Sequence, residues 1–335
     1  MTRKRSNWRV IAALSATALI GVASLLPSSC DGAPVGMELR KFDFTSPHMG
    51  TLFRISLYTT NEAWAEFSAQ AAFQRVEELD EKMSDYRADS ELMRLCDQPN
   101  GKAVPVSDDM FSVIKQSLRL SEASRGAFDI TVGPFVRLWR FSRKRHTLPE
   151  PAQIEEARAA VGWKNVKLDS ATRTVTLTVP DMRLDLGGIA KGYAADAALA
   201  VLREKGVTRA FVAASGDIAI GDPPPDAAGW KIGINELGGS SNSLSQTLVL
   251  KHAGISTSGS KEQFVEIGGV KYSHIVNPVT GLGLTNNIQA TIIAPDATTS
   301  DGLATAVTVL GVEQGKKLAG SFPGSRVIFQ QNSGN

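Results

Sequence analysis

Apolar and polar residues change period several times along the chain. Phe53, Ile55 and Leu57 alternate with polar neighbours, the two-residue period of a strand. Over Glu62–Met83 the set Ala65, Ala69, Ala72, Val76, Leu79 and Met83 recurs at helical spacing and predicts a long amphipathic helix. Ser107 can cap a second helix over residues 107–124, with Met110, Val113, Ile114 and Leu118 on its inner side. Residues 166–168 and 174–179 read as strands, and 184–186 as another short one. Residues 194–202 are rich in strong helix formers and end at Lys205-Gly206, a good carboxy-terminal stop. Alternation returns at 210–220, 230–234, 247–250, 264–267 and 288–293, interrupted by a proline-rich turn at 221–225 and a Gly/Ser loop at 237–243. A last helical pair covers 297–310 and 313–319. Strands in hairpins with helices inserted between them predict an α+β fold and not a run of βαβ crossovers.

The amino terminus breaks this pattern. Arg3, Lys4, Arg5 and Arg9 precede an apolar run over residues 10–26 that stops at Pro27-Ser28-Ser29-Cys30. A basic segment, an apolar run and small residues make residues 1–30 a signal peptide with a lipoprotein-type cysteine. Pro27 stands where a small or aliphatic residue is usual, so ordinary cleavage and an uncleaved anchor stay open; the run is marginal for a full span. Residues 31–42, with Gly32, Pro34 and Gly36, read as a tether, 43–325 as the folded domain and 326–335 as a tail. Thirty-six basic against 34 acidic residues, a net charge of +2, carries no nucleic-acid signal. Of two cysteines, lipidation of Cys30 leaves Cys96 without an intramolecular partner, so the domain relies on core packing; Cys96 reads as a small buried residue.

The segment Leu184-Asp185-Leu186-Gly187-Gly188-Ile189-Ala190-Lys191-Gly192-Tyr193 concentrates the chemistry. Its glycines lie where the chain turns into a helix, so backbone N–H groups and the positive end of the helix can face an anion. Lys191 in a first turn opposes the helix dipole, which an anionic partner explains. Alone, strand, Gly-Gly and helix is also an ordinary connection without a ligand. Three further blocks stand beside it: residues 126–134, with Ala127, Phe128 and Asp129; 272–281, with Ser273, His274 and Asn277; and 300–306, with Asp301 and Thr305. Asp301 and Thr305 are four apart and share a helix face; by themselves they read as a capping aspartate and a packed threonine. Likewise Phe128 alone reads as core and Tyr86 as a surface ring. His274 lies in a turn at a strand end, where a reactive side chain can be exposed.

In this order the four blocks resemble the ApbE family, the FAD:protein FMN transferases, over about residues 40–320. Met49-Gly50-Thr51, Met83-Ser84-Asp85-Tyr86, Ser90-Glu91-Leu92 and Thr257-Ser258-Gly259 agree with it. The resemblance implies two related β-rich halves with inserted helices around a central nucleotide site. It implies Mg²⁺-dependent transfer of FMN from FAD to a Thr or Ser hydroxyl of an exported redox protein, with release of AMP. Asp301, Thr305 and the backbone carbonyl of Gly188 would hold Mg²⁺. Met49, Tyr86, Ala127, Phe128, Asp129, Asp185, Lys191 and Ile275 would surround FAD, and His274 would take the hydroxyl proton. The family's frequent lipoprotein form agrees with Cys30 and implies attachment to the periplasmic face of the inner membrane of a bacterial cell envelope, with a membrane redox subunit as acceptor. Three positions depart from the family pattern: Ala214-Ser215-Gly216-Asp217 replaces a Gly-Gly-Asp or Gly-Gly-Asn run, Ser260 follows Gly259, and Asn277 stands where aspartate is common. If a carboxylate at either of the last two positions assists proton transfer, Asp217 or metal-bound solvent must compensate. Two other readings share the pyrophosphate contacts: an FAD pyrophosphatase giving FMN and AMP, and a non-catalytic FAD-binding lipoprotein.

Overall fold

The structure, a computed structural model, describes residues 38–237, 244–259 and 264–331. The signal segment, Cys30, residues 31–37 of the tether, most of the 237–243 loop and Ser260 lie outside the described residues. In chain order the strands and helices are β1 (Arg40–His48), β2 (Thr51–Thr59), α1 (Glu62–Met83), α2 (Glu91–Cys96), β3 (Val104–Pro105), α3 (Asp108–Ala123), α4 (Gly133–Arg145), α5 (Pro151–Arg158), β4 (Val166–Asp169), β5 (Thr174–Leu177) and α6 (Ala190–Glu204). There follow β6 (Ala210–Ala214), β7 (Asp217–Ile220), β8 (Trp230–Asn235), β9 (Leu244–Leu250), β10 (Ala253–Gly259), β11 (Phe264–Ile267), β12 (Val270–Ser273), β13 (Ile288–Ala294), α7 (Ala297–Gly320) and β14 (Arg326–Gln331).

The α+β class is borne out. Seven strands form one antiparallel sheet in the order β1-β2-β6-β7-β10-β13-β14. Helices α1, α6 and α7 pack against it and against one another, burying Ala69, Val76, Leu79, Ala195, Leu199, Leu303 and Val307 in the main core. A second cluster, Ile220, Ile255 and Ile293 with Trp230, Ile232 and Leu250, joins the sheet to the β8–β9 hairpin. A third joins Phe135 and Trp139 of α4 to Val265 of β11 and to Val276. Small residues on α6 let it lie close to α1 and α7, which explains why an alanine-rich segment is the central helix.

Local chemistry accounts for most boundaries. Asn61, Ser90 and Ser107 cap α1, α2 and α3 by accepting N–H bonds from Trp64, Met93 and Met110. The last helical pair is there as predicted, two helical runs within α7 separated at Gly311, whose φ is 77°. Several expectations need correction. Residues 184–186 form no strand, because their donors are taken elsewhere: Leu184 N–H reaches Cys96 Sγ at 3.3 Å and Asp185 N–H reaches the Ile130 carbonyl at 2.7 Å. The 210–220 run is a hairpin, β6 and β7, turning at Ser215 (φ 58°) and Gly216. Strand β1 begins at Arg40, inside the stretch read as tether. The stretch read as a tail contains β14, which pairs with β13 from Arg326↔Ile293 to Gln331↔Ile288.

Two features place the future site. Asp109 at the start of α3 accepts bonds from Arg75 and from Lys82 (2.7 Å) of α1 and from the Tyr193 hydroxyl (3.0 Å) of α6, tying three helices together. Burial by itself raises an acid, but hydrogen bonds from Lys82, Arg75 and Tyr193 outweigh it and hold this carboxyl below its ordinary 3.8. Burial and the Asp109 charge push the Tyr193 phenol up to about 12.

Helices α6 and α7 meet at Gly192. A Cβ there would stand 2.2 Å from the Ala297 carbonyl oxygen, so only glycine allows the approach. The Gly192 N–H donates to Asp301 Oδ2 at 2.9 Å. One turn on, Asp196 accepts N–H bonds from Ala297 (3.0 Å) and Thr298 (2.8 Å) and the Thr298 hydroxyl (2.6 Å), holding the first turn of α7.

Asp109→Ala is expected to lower stability by about 2 kcal/mol, because it removes the acceptor that Lys82, Arg75 and Tyr193 share at a partly buried junction. The depressed acid contributes stability above its unfolded value and loses it as pH falls, so urea melts of wild type and variant should converge below about pH 4. Gly192→Ala must push α7 from α6 and is expected to lose about 2–3 kcal/mol in urea unfolding, a range typical of overpacking against unyielding backbone.

Candidate active site

A cleft of about 340 Å³ opens where the start of α6, one face of α7 and the cleft-facing side of α4 converge. Gly187, Gly188 and Lys191 come from the start of α6, and Asp301, Thr305 and Val309 from α7, spaced four apart as one helical stripe requires. Ala127 to Ile130 form another wall. Val136, Trp139, Arg140 and Arg143 of α4 face them, Asp85 and Tyr86 stand at one side, and His274, Ile275 and Val276 follow β12 at another.

The cleft therefore gathers Tyr86, Ala127, Phe128, Asp129, Asp185, Gly188, Lys191, His274, Ile275, Asp301 and Thr305 from segments far apart in the chain. Two predicted residues are placed differently. Met49 does not line the cleft: with Gly50 it turns the β1–β2 hairpin, both at positive φ (49° and 70°), and its N–H bonds Asp80 at 3.0 Å. Asp217 is buried behind the cleft at the start of β7, where its carboxylate pairs with the Lys191 ammonium. It reaches the cleft only through that lysine.

Asp301 is the deepest acid, only 2% exposed. Burial, then the Asp217 charge, push its carboxyl up to about 7, against the Lys191 ammonium 3.8 Å away and the Gly192 N–H. One lysine thus serves two buried acids. Asp185 is also raised, by burial and by the neighbouring Asp85 charge, with Arg140 opposing. Its Oδ1 accepts the Gly187 N–H at 2.8 Å, which shapes the glycine turn.

Asp129 faces the cleft but is largely occupied. Oδ1 accepts from Thr131 N–H (2.8 Å) and hydroxyl (2.6 Å), and Oδ2 accepts from Trp163 N–H (3.0 Å). These bonds fix the 127–132 turn and leave little acceptor capacity for a ligand. His274 is exposed in a bend whose flanks are held: Trp139 Nε1–H donates to the Ser273 carbonyl at 2.9 Å, and Ile275 N–H to Ser273 Oγ at 3.1 Å. Asn277 Oδ1 accepts the Val279 N–H at 2.8 Å, so this departure from the family pattern serves its own turn. Cys96 is buried, its thiol raised by that burial, in agreement with a structural reading.

Arg140 was missed by the sequence reading, as were Asp85, Trp139 and Arg143. Its guanidinium carbon lies 4.0 Å from the Tyr86 ring centroid, and its Nη2 is 2.5 Å from Asp85 Oδ2 and 3.7 Å from Asp185 Oδ2. The spacing 136, 139, 140, 143 was the available signal, obscured by the other basic residues of α4.

The oxygen donors suit a hard divalent cation. A Cβ on Gly188 would stand 3.2 Å from Thr305 Oγ1, so that glycine leaves room for its backbone beside the threonine, one helical turn from the Asp301 carboxylate. Among the described residues no cluster of three His, Cys, Asp or Glu side chains could hold a metal unaided. That donor set fits a hard ion of the Mg²⁺ type, which takes few carboxylates from protein.

Comparison with known proteins identifies the family and the fold. The model of the ApbE family matches residues 49–329. A FAD:protein FMN transferase of Klebsiella pneumoniae (strain 342) is 31% identical over 308 residues, covering 90% of this chain and 88% of the relative. One from Salmonella typhimurium is 32% identical, covering 81% and 79%. The solved flavin transferase ApbE from Vibrio cholerae superposes with a TM-score of 0.79 at 29% identity, covering 87% of this chain and 94% of the other. The apo flavinyl transferase ApbE of Pseudomonas stutzeri gives 0.78 at 29% identity, covering 88% and 92%. With a family match running through nearly every described element and a cleft built from the same ordered blocks, the chain belongs to the ApbE family.

Proposed function

We propose that this protein is an FAD:protein FMN transferase: it moves FMN from FAD to a hydroxyl of another protein and releases AMP. The observation that carries the reading is a single cleft with a buried Asp301–Lys191–Asp217 cluster at its base and an exposed histidine at its rim. A pyrophosphate with about two negative charges meets the Lys191 ammonium at the base, and a bound cation would supply the further positive charge. A side chain of a second protein can reach only the rim.

The flavin and adenine rings pack against Tyr86, Phe128 and the 127–130 wall, with Lys191 on the pyrophosphate. Gly188, Thr305 and Asp301 would hold Mg²⁺, which when bound supplies positive charge to the pyrophosphate oxygens. His274 takes the proton of the acceptor Thr or Ser hydroxyl. That oxygen attacks the phosphorus on the FMN side; the bond to the AMP phosphate oxygen breaks, and AMP leaves with the electron pair. The new bond is a phosphoester joining FMN to the acceptor. Asp217 pairs with the Lys191 ammonium and so holds it beside Asp301.

The amino-terminal pattern ending at Cys30 supports export and lipid attachment at the periplasmic face of the inner membrane, where the acceptor is a membrane redox subunit. Free water at the rim would convert the same chemistry into pyrophosphate hydrolysis. The accessible position of His274 favours a protein hydroxyl, since a hydrolase gains nothing by placing its base where a second protein can reach it.

Incubation with FAD, Mg²⁺ and a threonine-bearing acceptor should add one FMN mass to the acceptor, read by mass spectrometry. Free FMN with unmodified acceptor would point to the hydrolase, and intact FAD to a binding protein. In this assay Asp301→Ala should abolish Mg²⁺-dependent transfer. His274→Ala should slow it by about 10²–10⁴-fold, the range of one general base, while retaining FAD binding.

A further inference from the structure

We propose that Arg140 is a positioning residue for FAD, holding the Tyr86 ring and the Asp185 carboxylate in the arrangement that receives the nucleotide. This rests on the FMN-transferase reading and adds to it a determinant of substrate affinity.

Tyr86 comes from the turn between α1 and α2 and is 79% exposed, so little of its surface is packed. Its backbone N–H is held by Ser84 Oγ at 3.3 Å, while its ring lies under the Arg140 guanidinium. A ring that must stack on a ligand binds more tightly if its orientation is set beforehand, because less rotamer freedom is lost on binding. Cation–π contact with one face sets that orientation and leaves the exposed ring able to meet the nucleotide.

The second role is electrostatic. Asp85 and Asp185 approach the same guanidinium nitrogen, Nη2, at 2.5 and 3.7 Å. Without it, two acids of like charge would face a substrate that is itself an anion. Arg140 opposes that repulsion and pairs with Asp185. Asp185 in turn shapes the Gly187-Gly188 turn through its Oδ1, so the guanidinium also restrains the backbone beside Thr305. α4 anchors the arginine firmly, since Trp139 next to it is buried and bonded to Ser273.

The test measures FAD affinity by quenching of flavin fluorescence, and transfer to an acceptor under saturating FAD, for wild type, Arg140→Ala, Arg140→Lys, Tyr86→Ala and the double variant Arg140→Ala/Tyr86→Ala. Arg140→Ala should raise the dissociation constant about tenfold, the scale of one lost cation–π contact with its preorganisation, and lower kcat far less. Arg140→Lys keeps the charge without the planar fork and should fall between. The two single losses should be less than additive in the double variant. Unchanged affinity in Arg140→Ala and Arg140→Lys, additive losses, or a fall in kcat with affinity intact would overturn the inference. Should Arg140→Ala fail to fold, Arg140→Lys and the Tyr86 variant decide the matter by the same readouts. If wild type itself binds no FAD, the proposed function fails instead; if it binds FAD and the arginine is silent, only this inference fails.

Discussion

The close approach of α6 to α7 at Gly192 is the constraint on which the site depends. There the backbone of one helix touches the other with no side chain between them, and the same glycine donates its N–H to Asp301. Asp196, one turn on, holds the first turn of α7. The relative placement of Gly188 and Lys191 on one helix and Asp301 and Thr305 on the other is therefore set by backbone contact and buried hydrogen bonds, which deform far less than long side chains. Burial raises the Asp196 carboxyl to about 6, so the acid that holds this junction is itself held at a desolvation cost.

The cleft divides into a fixed base and an approachable rim. At the base, two buried carboxylates share one lysine, an arrangement short of positive charge. Of the residues proposed to hold Mg²⁺, Asp301 is the one that offers a carboxylate. At the rim, His274 and Tyr86 stand in solvent on short segments whose backbones are pinned by Trp139 and by Ser84. Exposure there suits a reaction whose second reactant is another folded protein.

Legibility followed period length. Helix α1 shows its buried residues over six turns with no competing signal, and its predicted bounds agree with the structure. Helix α4 buries Phe135, Trp139 and Ser142 at equally regular spacing, but five arginines and lysines surround them and the pattern reads as polar. Strand β14 closes with Gln330 and Gln331 and none of its residues is fully buried, so it resembles a tail, although Gln330 is tied to Leu237, Asn235 and Ser245. Residues 184–186 mimic a strand by alternation, yet strand identity requires a neighbour, and Cys96 and Ile130 claim their donors first.

The same division governs the site. The sequence by itself determined the α+β class, the main helices and the ordered blocks carrying Lys191, His274, Asp301 and Thr305, because each block is a local run whose turn, cap or helical spacing is written in adjacent residues. Only the tertiary structure decided that Asp217 acts through Lys191, that Met49 turns a hairpin away from the cleft walls, that Asp129 spends its oxygens on its own turn, and that Arg140 bridges Tyr86, Asp85 and Asp185. The reason is physical. Hydrogen bonds and ion pairs between residues tens of positions apart depend on distance in space, and that distance is set by how helices and sheet pack, chiefly where α6 and α7 touch.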